Sequence, residues 1–219
     1  MTQTTMTQTR RLTLMAMLAA MAYVAMLITR PLPHVAGFLS YDLKDVIVVI
    51  AGFMLGPVPA LLVTLVVSLV EMLTVSTTGP IGLLMNVLST GAFALPPAIA
   101  YQRSKRLKSA AVGLVCGVLL MTALMLAWNY IITPLYMHVP REAVAAMLVP
   151  TFLPFNLVKG GLNAGITMLV YKPITQALRR AGLLEGGSGS QKHRFNLPAT
   201  LVSVVVIITC VIVFILMTR

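Results

Sequence analysis

Long apolar stretches without charged side chains dominate this sequence of 219 residues. Several of them reach the ~20 residues that a helix needs to cross the hydrocarbon core of a bilayer. Hydrophobic residues make up 58% of the chain and charged residues only 10%, whereas soluble domains carry about 25% charge. Because so few charges cannot cover a water-facing surface, the composition excludes an ordinary cytosolic enzyme and a disordered chain. We therefore predict an all-α, polytopic membrane helical bundle.

The apolar stretches give the positions of the membrane spans. The clear candidates are residues 12–29, 81–101, 110–136, 149–171 and 197–217. A single helix over 44–75 would measure about 48 Å, which is too long for one span. The sequence Gly56-Pro57-Val58-Pro59 lies near its middle, and paired prolines break or bend a helix. We expect two helices here, 44–57 and 58–75, joined by a tight turn.

The distribution of basic residues supports this division. The formal net charge is +11, from 16 Lys and Arg against 5 Asp and Glu. Basic residues mark the cytoplasmic side of a membrane protein. With the break, the cytoplasmic side holds Arg10, Arg11, Arg103, Lys105, Arg106, Lys108, Lys172, Arg179, Arg180, Lys192 and Arg194. The opposite side holds Arg30, Lys44, Arg141 and Arg219. We expect a multi-pass protein of the cell membrane with a cytoplasmic N-terminus.

The span count divides the chain into three parts. Residues 1–180 form a six-helix domain, and residues 181–196 form a flexible Gly/Ser-rich and basic linker. Residues 197–219 add a seventh membrane helix, which is rich in Val, Ile and Leu. We interpret this helix as a peripheral anchor or partner-contacting helix, outside any ligand site.

Lys159 is the strongest functional signal, because it is the only ionisable residue deep inside a predicted span. It lies about 15 Å into the span 149–171, where a lysine costs about 2.5–3.5 kcal/mol on insertion scales. Asn156 and Asn163 share its helix face, three residues before and four after it. This stripe suits a ligand with several carbonyls and hydroxyls. The alternative is hydrogen bonding between helices.

Three asparagines on three different predicted helices reach one depth. Asn86, Asn129 and Asn156 each lie about 8–10 Å below the outer surface. A few polar groups that converge in an apolar surrounding are typical of a ligand pocket. Glu71 lies slightly closer to the surface, either as a partner for Lys159 or as a residue of the pocket rim.

The first outer loop, residues 30–42, is too apolar for a solvated loop. We expect it to fold over the pocket as a lid, with Phe38, Leu39 and Tyr41 facing the ligand. The alternative is simple packing on the outer helix ends. Asp42 and the residues after it fit a helix start, where carboxylates favour the positive end of the helix dipole.

The first predicted helix carries small residues at a regular spacing. Ala16 and Ala20 form a small-xxx-small pattern, which permits another helix to approach closely. That helix belongs either to the same chain or to a partner subunit.

Motifs for catalysis and metal binding are missing from the sequence. It contains no P-loop, no HExxH and no GxSxG, so we expect neither an enzyme nor ATP hydrolysis by this chain. The histidines are isolated, which predicts no metal site. The basic residues lie in short clusters between apolar stretches, so no nucleic acid is expected to bind. A single ionisable residue deep in a span does not support a proton relay, so if the chain were a transporter, it would need an external source of energy.

Several motifs together resemble a known family. In chain order they are Tyr41-Asp42-Leu43-Lys44-Asp45, Ala51-Gly52-Phe53-Met54-Leu55-Gly56-Pro57, Gly79-Pro80-Ile81-Gly82-Leu83-Leu84-Met85-Asn86, Asn129-Tyr130, Pro134-Leu135-Tyr136 and Leu153-Pro154-Phe155-Asn156-Leu157-Val158-Lys159-Gly160. Over about residues 10–180, the sequence resembles the substrate-binding S component of energy-coupling factor (ECF) vitamin transporters, in their riboflavin-specific branch. The resemblance implies a six-helix S-component core, so the seventh helix is a departure from the family pattern.

The resemblance also implies partners and a mechanism. An S component captures its vitamin on the outer side and associates with a transmembrane coupling protein and two cytoplasmic ATPase subunits. It then topples in the membrane to release the vitamin inward. Ala16 and Ala20 match the alanine motif that docks on the coupling protein.

Riboflavin as the transported ligand, without any cofactor, fits the polar residues. Amides can pair with both the carbonyls and the N–H of the flavin pyrimidine edge. On this hypothesis Asn129, Asn156 and Lys159 contact the polar edge or the ribityl chain, and Asn86 supports them. The dimethylbenzene side rests on the lid residues. The alternatives are another vitamin, flavin export, or a membrane assembly or anchoring protein without a small-molecule site.

Overall fold

The computed structural model describes residues 7–180 and 197–218, and these fold into an all-helical bundle. The helices are α1 (Gln8–Thr29), α2 (Lys44–Leu55), α3 (Pro57–Thr74), α4 (Gly79–Ser104), α5 (Leu107–Ile131), α6 (Thr133–Met137), α7 (Arg141–Met147), α8 (Leu153–Arg180) and α9 (Leu197–Thr218). A π-helical turn, Leu148–Phe152, joins α7 to α8. The predicted all-α membrane bundle is confirmed.

The predicted break at the paired prolines is also confirmed. Helix α2 ends at Leu55 and α3 begins at Pro57. Gly56 between them has φ 100° and ψ 176°, a conformation that residues with a Cβ rarely adopt. Pro57 fits the first position of α3, because the N–H that it lacks would have no partner there.

Helix α2 is shorter than a membrane span. Its 12 residues measure about 18 Å, against ~30 Å of hydrocarbon. In the described part of the chain, six segments are long and apolar enough to cross a membrane: Gln8–Thr29, Pro57–Thr74, Gly79–Ser104, Leu107–Ile131, Arg141–Tyr171 and Thr200–Thr218. The predicted span 44–57 is not among these segments.

The same helix forms the centre of the bundle. Every residue from Lys44 to Phe53 is buried, and α2 contacts α1, α3, α4 and α8. A Cβ placed on Gly52 would lie 2.6 Å from the Cβ of Ala98, so the glycine permits the close approach of α2 and α4. This continuous burial explains why the sequence of α2 is apolar all round and not amphipathic.

Residues 30–42 form the lid loop, in which Val35, Tyr41 and Asp42 are buried and most of the other residues are exposed. Val35 is 2% exposed, and its N–H donates to the carbonyl of Leu39 at 2.9 Å. Ala36 and Gly37 make the reversal between them with φ of 52° and 81°. The lid loop lies at the end of the bundle where α2 begins, which we call the lid end.

Aromatic side chains fill the opposite end of the bundle. The rings of Phe53, Tyr101 and Tyr171 pack together with centroids 4.7–5.6 Å apart. The hydroxyls of Tyr101 and Tyr171 are hydrogen-bonded to each other. Gln102 donates from Nε2 to the carbonyls of Gly52 and Phe53 at 3.2 and 3.0 Å, which satisfies the last carbonyls of α2.

Candidate ligand-binding site

A cavity of about 250 Å³ opens at the lid end, between the lid loop and helices α1, α3, α4, α5 and α8. Seven of the eight residues that the sequence nominated for ligand binding line it: Phe38, Leu39, Tyr41, Asn86, Asn129, Asn156 and Lys159. The eighth, Asn163, does not. The structure therefore brings residues from four separate segments to one place.

Two of the lining asparagines are held in fixed orientations. Asn129 donates from Nδ2 to the carbonyl of Met125 at 2.7 Å, and its Oδ1 accepts from the Thr133 hydroxyl at 2.9 Å. Asn156 donates from Nδ2 to the carbonyl of Phe152 at 2.8 Å. Both side chains are therefore ordered before any ligand arrives, which lowers the entropic cost of binding.

The π-helical turn before α8 explains the position of Asn156. Pro154 has no N–H, so regular helical hydrogen bonding cannot run unbroken through this segment. The chain instead forms the wider turn, in which the N–H of Leu153 donates to the carbonyl of Leu148. Such turns occur frequently at functional sites. Asn156 and Lys159 follow at once, on the first turns of α8.

Lys159 is paired with a lid residue. Its Nζ lies 2.8 Å from Oδ2 of Asp42 and 3.9 Å from Oδ2 of Asp45. Glu71, which the sequence left open as a partner or a rim residue, lines the cavity and accepts a hydrogen bond from Lys44 at 2.6 Å. The direct partner of Lys159 is therefore Asp42.

Asp42, Lys44, Asp45, Glu71 and Lys159 form a charge cluster at the base of the cavity. Lys44 is 1% exposed and Asp45 is 0% exposed. The sequence singled out Lys159 among the ionisable residues, whereas the structure also buries Lys44 and Asp45. Lys44 is buried because Glu71 and Asp42 compensate its charge, as buried charges require.

Asn163 lies beneath the cavity and connects the lid loop to the charge cluster. Its Oδ1 accepts from the Tyr41 hydroxyl at 2.8 Å. Its Nδ2 donates to the backbone carbonyl of Asp42 and to Oδ2 of Asp45, both at 3.2 Å. The side chain is fully buried, so its contacts are made within the protein. The sequence predicted that Asn163 shares a helix face with Asn156 and Lys159. Asn163 lies one turn further along α8 than Lys159, however, and does not line the cavity.

Burial and charge set the protonation of two lid residues. Burial alone would raise the pKa of the Asp42 carboxyl, but Lys159 and Lys44 beside it outweigh that cost and hold the pKa below its ordinary value. Burial, reinforced by Asp42, raises the pKa of the Tyr41 phenol. Tyr41 is therefore a neutral hydrogen-bond donor, and Asp42 is an acceptor.

Asp42 and Asp45 are the site residues that sequence reasoning missed. Both stand at the boundary between the lid loop and α2, where the sequence indicated only a helix start. Oδ1 of Asp42 is buried without a hydrogen-bond partner in the described residues. The sequence did carry a signal for them, because acidic residues are scarce in this chain. It has only 5, and two of them lie within four residues of each other.

The two alanines nominated for partner docking lie outside the bundle core. Ala16 and Ala20 are exposed on α1, whereas Leu14, Leu18 and Ala22 are buried. In a membrane helix, such an open face of small residues permits close approach of another helix.

Comparisons with known proteins agree with this geometry. Residues 10–171 match the family described as ECF transporter, substrate-specific component. Riboflavin transporter RibU of Staphylococcus aureus is 32% identical over 181 residues, which cover 80% of this chain and 95% of that protein. Riboflavin transporter FmnP of Bacillus subtilis is 29% identical over 184 residues, covering 78% and 97%.

A solved structure shows the same fold. It is described as the S component of a bacterial ECF transporter, with a TM-score of 0.66 and 30% sequence identity. The match covers 80% of this chain and 100% of that chain. The chain therefore belongs to the family of substrate-specific components of ECF transporters.

Proposed function

We propose that this chain captures riboflavin at the lid end and delivers it across the membrane as the S component of an ECF uptake transporter. The observation that carries the proposal is the convergence of Asn129, Asn156 and Lys159 in one cavity beneath an apolar lid loop. Two relatives that cover most of this chain are named as riboflavin transporters.

The cavity chemistry suits the two halves of a flavin. The pyrimidine edge carries carbonyl acceptors and an N–H donor, which pair with amides and an ammonium group. Asn129, Asn156 and Lys159 take this edge or the ribityl chain, and Asn86 supports them from α4. Phe38 and Leu39 contact the apolar dimethylbenzene side, which agrees with the mixture of apolar walls and few polar groups in ligand sites.

The closed opposite end supports delivery by movement of the whole subunit. The cavity is lined from the lid end, whereas the rings of Phe53, Tyr101 and Tyr171 fill the far end between α2, α4 and α8. A ligand held at the lid end therefore has no straight path through the centre of the described helices. This arrangement favours reorientation in the membrane, driven by other subunits, over a channel.

The partners and the orientation follow from the outer surface of the bundle. The open face with Ala16 and Ala20 on α1 is the docking site for the transmembrane coupling protein, which carries two cytoplasmic ATPase subunits. A cytoplasmic position of the α4–α5 turn is supported by its basic residues, Arg103, Lys105, Arg106 and Lys108. The N-terminus is then cytoplasmic, and the lid end faces outward from the cell membrane.

The domain boundaries complete the proposal. Residues 1–180 are the six-helix substrate-binding domain, and the residues after 196 add a membrane helix. The linker at 181–196 lies outside the described residues.

A ligand titration of the purified full-length chain tests the function. Riboflavin fluorescence is followed as protein is added, with thiamine and biotin as competitors and heat-denatured protein as the control. We expect saturable binding of one flavin per chain, and no displacement by the other two vitamins. If flavin does not bind, calorimetric titration with thiamine and with biotin measures their binding directly, and saturable binding of either would reassign the ligand. Absence of binding to all three would contradict the proposal.

A further inference from the structure

Helix α9 is fitted closely to α8 along a glycine seam. Gly161 and Gly165 lie one turn apart on α8. A Cβ placed on Gly161 would lie 2.8 Å from Sγ of Cys210, and one placed on Gly165 would lie 2.8 Å from Cγ1 of Ile207. The two helices therefore approach more closely than side chains would permit. This spacing of small residues is typical of tight helix pairs in membranes.

The α9 residues that face inward form one stripe along the helix. Ser203 and Phe214 are buried, and Ile207 and Cys210 lie between them at helical spacing. Most of the other α9 side chains are exposed, including those of Leu201, Val205, Ile208, Ile212 and Leu216. A helix in water could not expose so much apolar surface, whereas a membrane helix presents it to lipid. Helix α9 is thus bound by one face to α8.

The last turn of this stripe reaches the lid loop. The ring of Phe214 meets the ring of Tyr41 edge-on, with centroids 6.2 Å apart. Phe214 shares an apolar cluster with Val35 and Tyr41 of the lid loop and with Phe155 of α8, and Leu39 packs against this cluster. Tyr41 is therefore held from two directions, by Phe214 on its ring and by Asn163 on its hydroxyl.

We propose that α9 is a positioning helix for the lid loop, and that Phe214 holds Tyr41 against α8 and thereby slows release of the bound ligand. The function is added to the family core, because α9 lies beyond the matched residues 10–171. It also leaves the docking face of α1 open, since the helix that α9 contacts extensively is α8. The proposal rests on the proposed function only for the identity of the ligand.

The first test measures the lid loop without ligand. Hydrogen exchange of backbone amides in peptides covering residues 32–43 is compared between the full-length wild type and Phe214→Ala in lipid nanodiscs. Leu216→Ala is the matched control, because Leu216 lies on the same turn of α9 and is 64% exposed. We expect faster exchange of these peptides in Phe214→Ala alone, with unchanged exchange at the α4–α5 turn. Equal lid exchange in all three proteins would overturn the proposal.

The second test measures ligand release. Dissociation of riboflavin is followed by its fluorescence after dilution. We expect Phe214→Ala to release flavin about tenfold faster with an unchanged association rate, and Phe214→Leu, which restores an apolar side chain, to recover most of the difference. A change confined to the association rate, or no recovery in Phe214→Leu, would contradict a positioning role.

The two tests separate this proposal from the proposed function. Failure of the wild type to bind flavin would remove the proposed ligand, whereas lid exchange would still decide the role of α9. If Phe214→Ala does not fold, Phe214→Val replaces it in the exchange experiment. Phe214→Val also removes the ring that meets Tyr41, so lid exchange faster than in Leu216→Ala is then the expected result, and exchange equal to that of Leu216→Ala contradicts the proposal.

Discussion

The two ends of this helical bundle are built from the same helices with opposite chemistry. At the lid end, α2 and α8 contribute Asp45 and Lys159 to a charge cluster beside a cavity. At the opposite end, the same helices contribute Phe53 and Tyr171 to a packed aromatic group. Charges and a cavity are costly inside a membrane protein, whereas packed rings are not. The buried charge cluster and the cavity thus lie at the end that we assign to the ligand.

The largest expected effect comes from removing one charge at the lid end. Lys159→Met retains an apolar side chain but leaves Asp42 and Asp45 without the ammonium between them. We expect a loss of about 3 kcal/mol in unfolding free energy, because an unpaired buried charge remains. The matched control is Lys108→Met, an exposed lysine at the opposite end, where we expect a change within about 0.5 kcal/mol.

Thermal unfolding in detergent measures both variants under the same conditions. Equal melting temperatures for Lys159→Met and Lys108→Met would show that the charge cluster is not a structural element.

A smaller effect on stability is expected for Asn163, which lies beneath the cavity, and for Asn156, which lines it. The two residues separate structural support of the site from direct contact with the ligand. Asn163→Ala removes three hydrogen bonds that join Tyr41, Asp42 and Asp45 beneath the cavity. Because buried groups lose their partners, we expect a loss of about 2 kcal/mol in unfolding free energy together with weaker flavin binding.

Asn156→Ala removes one hydrogen bond to a backbone carbonyl, so we expect a loss of about 1 kcal/mol in unfolding free energy with a drop in flavin affinity of at least tenfold.

Urea or thermal unfolding paired with flavin titration gives both quantities for each variant. The distinction fails if Asn163→Ala lowers affinity at full stability, since Asn163 would then act as a ligand contact.

The smallest effect is expected at the aromatic end. Tyr171→Phe removes a hydroxyl that is hydrogen-bonded to Tyr101 but retains the ring contacts with Phe53 and Tyr101. We expect a loss of about 1 kcal/mol in unfolding free energy and an unchanged flavin dissociation constant. A tenfold change in that constant would indicate that the opposite end takes part in ligand capture.

The fold was predictable because the length of a membrane helix and the depth of its residues can be calculated from the number of residues. Span lengths and the positive-inside bias led to a break at Gly56 and Pro57, and the structure has it there. The depth estimate for Asn86, Asn129 and Asn156 relied on the constant rise per residue in a helix, and the three residues do line one cavity.

The ion pair between Asp42 and Lys159 was not predictable. The lid loop has no regular repeat from which the positions of its side chains could be calculated. Asp42 reaches Lys159 across 117 residues of sequence, and Lys44 is buried against Glu71. Similarly, Gly161 and Gly165 were visible as small residues on α8, but nothing in their spacing identifies α9 as the helix that fills the seam. Both features depend on tertiary contacts.

The most direct test of the central claim is the riboflavin dissociation constant of Asn156→Ala compared with Leu157→Ala. These neighbours occupy the same turn of α8, but Asn156 lines the cavity whereas Leu157 is 39% exposed on the outside of the bundle. The account predicts at least tenfold weaker binding for Asn156→Ala and wild-type binding for Leu157→Ala. Equal dissociation constants in two folded variants would contradict the assignment of the ligand to the lid end.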